Sequence, residues 1–164
     1  MLFHLPTIIT IFIDIAAWFT IHMGVSYFMS RMSRDNFNPL NWLYRERRWE
    51  NNGIIYYKFF LANKWKKLLP DGAAIFKFGF EKQKLKEFST DYFSDFLKET
   101  CRAEFTHWIV FLCGFIFLIW NLPWVSILMI FYAFAANIPC IITQRYNRIR
   151  LRRVLGYINR IKQY

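Results

Sequence analysis

ETCRAEFTHWIVFLCGFIFLIWNLPWVSILMIFYAFAANIPCIITQRYNR, residues 99–148, decides the fold. Polar groups close both ends, and between them two apolar runs meet at Leu122-Pro123. At a rise of about 1.5 Å per residue, a helical run of about 20 residues crosses the ~30 Å of hydrocarbon in a bilayer. The stretch therefore predicts a helical hairpin with spans at about 105–122 and 124–143. Its arms are antiparallel, so Glu104 and His107 at the start of the first lie at the depth where Gln144, Arg145 and Arg148 end the second. Asn137, Gln144 and Arg148 fall at i, i+7 and i+11, one helical face, and Pro139 predicts a kink beside Asn137. Ionisable groups gathered at one membrane depth are a candidate site of chemistry.

Upstream, residues 5–29 contain no Lys, Arg or Glu and read as a further span, too long and without the basic start of a cleaved signal peptide. Asp14, Trp18 and His22 recur every four residues, and the cost of a carboxyl in hydrocarbon turns their shared face into the bundle. Asn38-Pro39 predicts a helix start, with a polar helix carrying residues 44–49 and ending at Asn51-Asn52-Gly53, where left-handed backbone is tolerated. Residues 54–69 mix apolar and basic side chains and predict an interfacial or re-entrant helix before the Pro70-Asp71-Gly72 turn, and 73–80 a loop or brief strand. Ser89 or Thr90 then caps a helix entering the hairpin. Phe93, Phe96, Leu97, Thr100, Glu104 and His107 share one stripe of it, and Glu99 and Arg102 read as charges on solvated faces. The tail, 145–164, reads as a basic amphipathic helix lying on a membrane surface.

Composition supports a single all-α integral membrane domain over 1–164. Of the residues, 55% are hydrophobic and 21% aromatic, too apolar for an ordinary soluble chain. The Lys and Arg residues fall in two blocks, 31–102 and 145–162, leaving 1–30 and 103–144 without any. By the positive-inside rule this predicts three spans, the N-terminus outside, and residues 30–104 and the C-terminal tail in the cytosol. The net charge of +11 raises nucleic acid as a partner, but no nucleic-acid motif accompanies it. Neither a G-x-S-x-G elbow, a G-x-G-x-x-G loop nor a CxxC pair occurs, and a lone E-x-x-H does not make a metal site.

KETCRAEFTHWI (98–109), FYAFAANIPCIITQRYNRIRL (131–151) and WENNGIIYYKFFLANKWKKLLPDG (49–72) together resemble the glycosyl-4,4′-diaponeurosporenoate acyltransferases. The resemblance spans roughly 45–155 and reaches residues 1–40 only as an apolar segment. It implies a bacterial cell-membrane enzyme of carotenoid synthesis whose acceptor is a lipid glycoside such as a carotenoid glucoside.

Acyl transfer from a thioester to a hydroxyl requires a base, donors for the oxyanion and a water-poor groove. On chemical grounds His107 is the expected base, with Glu104 orienting its ring, and Asn137, Gln144 and Arg148 are the expected oxyanion donors. Lys64, Lys66, Lys67 and Arg145 ring the basic face and are expected to hold the phosphates of an acyl-CoA or acyl-carrier donor, with no other cofactor. A polar intramembrane cluster alone fits a non-catalytic lipid-binding or scaffold protein equally well. The resemblance favours the enzyme.

Overall fold

A computed structural model describes residues 6–65, 69 and 89–161. Its long elements are α1 (Thr7–Arg31), α4 (Thr90–Cys113), extended by a 3-10 turn over Gly114–Leu118, and α5 (Pro123–Ile161). Two short helices, α2 (Ile54–Lys58) and α3 (Ala62–Trp65), lie between α1 and α4 in sequence. All three long helices are long and apolar enough to cross a membrane. Outward-facing Ile8, Phe12, Ile15 and Phe19 on α1, and Trp124, Ile127 and Phe131 on α5, form the apolar surface that such a setting would cover.

The hairpin is α4 against α5. Ser89 caps α4, its hydroxyl accepting the Tyr92 N–H at 3.2 Å, with Asp91 in the first turn. At the far end Gly114 brings the two helices together: a methyl group placed there would lie 2.7 Å from the Ala133 Cβ. Around this contact Val110, Phe117 and Ala133 form a core with Trp18 of α1, whose ring stacks on Phe117 at 4.6 Å between centroids.

α1 is pinned at both ends. The Asp14 carboxylate, buried as its position every fourth residue from Trp18 predicts, accepts from Trp120 Nε1 and Asn121 Nδ2 at 2.8 Å each. At the other end Arg102 Nη1 donates to the carbonyls of Ser30 and Met32, while its Nη2 pairs with Glu99 at 2.9 Å. Glu99 and Arg102 are therefore buried, not solvated as the helical wheel suggests. The wheel shows which face meets α5 but not that α1 covers the opposite face, where its last carbonyls need donors.

Three further segments depart from expectation. Residues 38–47 form turns, with Asn38 Oδ1 accepting the Leu40 N–H at 2.9 Å, rather than a helix over 44–49. Residues 54–65 are two short helices, broken at Leu61 with φ 49°, rather than one interfacial helix. The tail does not leave α5: at 39 residues α5 is about 58 Å long, and beyond the spanning length its Leu151, Leu155 and Ile158 cover Tyr92, Phe93, Phe96 and Leu97 of α4. The apolar face of the first turns of α4 gives the tail a partner within the fold. The segment predicted over 73–80 and the turn at 70–72 lie outside the described residues.

Gly114→Ala is expected to force the helices apart, because the obstacle is a methyl fixed to a backbone and not the end of a flexible chain. The loss, about 1–3 kcal/mol as for other overpacked sites, would appear as a lower Tm of the detergent-solubilised protein. Ala133→Gly in the same chain removes the clash and is expected to recover part of it.

Candidate active site

The site lies where α4 and α5 meet the turns before α2. Asn51, Asn52 and Gly53 all adopt positive φ (44°, 54° and 81°), as the Asn-Asn-Gly sequence predicts. This left-handed run reverses the chain immediately after Glu50 and seats Gly53 against Ile149 of α5, whose Cγ2 would stand 3.3 Å from an added Cβ. Arg153 ties the turn down by donating to the Asn52 carbonyl. Glu50, fully buried, is thereby held against α5.

Four charged side chains form one chain of contacts. Arg145 donates Nε to Glu50 Oε1 at 2.8 Å, Nη2 to Glu50 Oε2 at 3.2 Å and Nη1 to Glu104 Oε1 at 2.8 Å. Arg148 Nη2 pairs with Glu104 Oε2. The Tyr56 hydroxyl and the Arg47 backbone N–H complete the shell of Glu50, and Trp108 Nε1 approaches Glu104 at 3.4 Å. The guanidiniums also take backbone carbonyls from the turns: Leu43 and Arg45 for Arg145, Tyr44 for Arg148. A helix over 44–49 would have spent those carbonyls internally, which accounts for its absence. Tyr44 lies under Arg148, its ring centroid 5.6 Å from Cζ. Burial pushes its phenol up to about 12, so it stays neutral.

One α4 turn from Glu104, His107 is half-buried and its Nδ1 lies 3.0 Å from Asn137 Oδ1. The Asn137 amide nitrogen donates to the Ala133 carbonyl at 2.9 Å, which turns its oxygen to the ring. His107 must then carry its proton on Nδ1 and its lone pair on Nε2.

The sequence-predicted residues thus divide. His107, Asn137, Glu104, Arg145 and Arg148 come together between the hairpin arms, with Asn137 and Arg148 buried. Asn137 orients His107, the task expected of Glu104, because both Glu104 oxygens are engaged by arginines. Asn137 commits its oxygen to His107 and one amide N–H to the Ala133 carbonyl. Arg145, expected to meet donor phosphates, is engaged by two carboxylates and two carbonyls. Lys64 is exposed on α3, and Lys66 and Lys67 lie outside the described residues. Tyr56 and Tyr44 are the partners that residue chemistry alone did not bring to the site.

Fold and site together define an all-helical protein, built on three helices of membrane-crossing length, with a buried polar centre at one end of its hairpin. The model of the family described as glycosyl-4,4′-diaponeurosporenoate acyltransferase matches residues 40–157, which hold every side chain of that centre. The Staphylococcus aureus (strain N315) protein of that name is 32% identical over 143 residues, 87% of this chain and 86% of the relative. The Staphylococcus haemolyticus (strain JCSC1435) protein of the same name is 32% identical over 137 residues, 83% and 79% of the two chains. No solved structure matches. The chain belongs to the glycosyl-4,4′-diaponeurosporenoate acyltransferase family and is an acyltransferase.

Removing one partner of a buried ion pair strands the other, typically at about 3–5 kcal/mol. Arg145→Met is expected to destabilise the protein by that order, measured by unfolding in detergent. Acid should act on the same contact. Burial alone would raise the Glu50 carboxyl, but hydrogen bonds from Arg145, Tyr56 and the Arg47 backbone hold it below the ordinary value of 4.5. A depressed folded-state pKa contributes stability that is present above 4.5 and is lost as pH falls through the lower folded value. Glu50→Gln is expected to flatten the stability profile in that acidic window, as read from Tm against pH.

Proposed function

We propose that the chain transfers a fatty acyl group from a cytosolic thioester, acyl-CoA or acyl-carrier, to a sugar hydroxyl of a lipid glycoside such as a carotenoid glucoside. The observation that carries this reading is the locked histidine: Asn137, held by the Ala133 carbonyl, accepts from Nδ1 and leaves the basic nitrogen at Nε2. Nε2 takes the proton of the attacking hydroxyl as its oxygen bonds to the thioester carbonyl carbon. On collapse the C–S bond breaks, and the proton passes to the departing thiolate. A neutral imidazole with a pKa near ~6.5 suits proton transfer at cytosolic pH better than a carboxylate. The names of the relatives support a glycosylated carotenoid acceptor for this chain also.

The reading places the polar centre at the cytosolic end of three spans, with the N-terminus outside and the helices in the bacterial cell membrane. Two observations support it: α1, α4 and α5 are apolar enough to span, and the Lys and Arg blocks lie toward one side of them. Glu104, Arg145 and Glu50 hold the turns over the hairpin, and Lys64, Lys66 and Lys67 remain the candidates for donor phosphates.

His107→Ala is expected to lower turnover by roughly 10²- to 10⁴-fold, in an assay of purified protein with acyl-CoA and a lipid glycoside, with folded yield measured beside it. Retention of more than about a tenth of wild-type turnover, well short of a base's contribution, would move the role elsewhere. Asn137→Leu frees the tautomer and should displace the pH–rate profile, which a purely packing role would leave in place.

A further inference from the structure

We infer that Gln144 and Arg148 form a subsite for a sugar hydroxyl of the acceptor, a hydroxyl other than the one acylated. The inference rests on the proposed reading that the acceptor is a lipid glycoside.

The two residues stand at i and i+4 on α5, so their side chains are neighbours on one face, one turn apart. Each holds a buried polar atom that has no hydrogen-bond partner among the described residues: Nη1 of Arg148 and Oε1 of Gln144. Arg148 is almost wholly buried, and its other nitrogens are fixed by Glu104 and the Tyr44 carbonyl, so Nη1 cannot turn elsewhere. A buried, unsatisfied N–H of a charged group is costly, and so is a buried carbonyl oxygen. One is a donor and the other an acceptor, which identifies the missing group.

With the Gln144 amide as it stands, its oxygen unsatisfied, an oxyanion would satisfy Arg148 and leave the Gln144 oxygen without a donor. A hydroxyl satisfies both at once, since its oxygen accepts from Nη1 while its hydrogen donates to Oε1. The direction of the side chains agrees. Helical side chains lean toward their own N-terminus, so Arg148 leans toward Gln144, and His107 on the antiparallel α4 leans toward the level of Glu104. Base and subsite therefore converge from the two arms on one region, the arrangement that holds a sugar by one hydroxyl and acylates another. Gln144 and Arg148, expected from sequence to stabilise the oxyanion, are on this inference the groups that position the acceptor.

The test is binding of dodecyl β-D-glucoside and its monodeoxy analogues to the full-length protein in lipid nanodiscs, with turnover of the same compounds measured in parallel. Removal of one particular hydroxyl is expected to weaken binding about tenfold, the size of a lost hydrogen bond that leaves a charged group unsatisfied. Gln144→Leu should abolish that discrimination, with folded yield and Tm of the variant measured beside binding to show that the fold survives substitution. Equal binding of all analogues by the wild type would mean that water alone fills the site and would overturn the inference. So would discrimination that persists unchanged in Gln144→Leu. Either result with acyl transfer intact rejects the subsite alone, whereas failure of the wild type both to bind and to acylate any glycoside rejects the proposed acceptor as well.

Discussion

Arg145 touching both Glu50 and Glu104 is the contact on which the cytosol-facing half of the proposed arrangement depends. The two carboxylates come from parts of the chain that share no helix, and the guanidinium that joins them comes from a third. Its planar fork suits this, since three nitrogens can be directed at once to different acceptors in one plane. Two glutamates and two arginines leave the group neutral, so burial does not strand a net charge. Without Arg145 the carbonyls of Leu43 and Arg45 would lose their donor, and Glu50 and Glu104 the cation they share.

On the proposed reading, that closed network also separates holding from reacting. Glu104, Glu50 and Arg145 are saturated with partners, and a group so engaged has little freedom to exchange a proton during turnover. His107 stands one turn further on, oriented by a neutral amide and not by a carboxylate. The amide oxygen of Asn137 fixes the tautomer by accepting from Nδ1.

Much of this was legible in the chain. The three long helices follow from apolar runs of spanning length, the inward face of α1 from Asp14 and Trp18, and the meeting of Glu104 with Arg145 and Arg148 from antiparallel depth alone. What escaped was decided by contacts between distant segments. Glu99 and Arg102 look solvated until the end of α1 arrives over them. Residues 44–49 carry helical propensity, but Tyr44 and Arg45 release their carbonyls to arginines about a hundred positions later. The tail has the pattern of a surface helix, and only the exposed apolar start of α4 makes it continue α5 instead. Periodicity reports which face of an element is apolar, not which partner will cover it.

The bonds from Trp120 and Asn121 to Asp14 have a consequence for biogenesis. The carboxyl leaves the ribosome more than a hundred residues before either donor is made. In a membrane, α1 would therefore wait through most of synthesis without the two donors that its carboxyl has in the finished fold. The tip of the hairpin is what completes it. Chain order thus makes completion of the Asp14 contact a late event, one that cannot precede synthesis of the loop joining the last two helices.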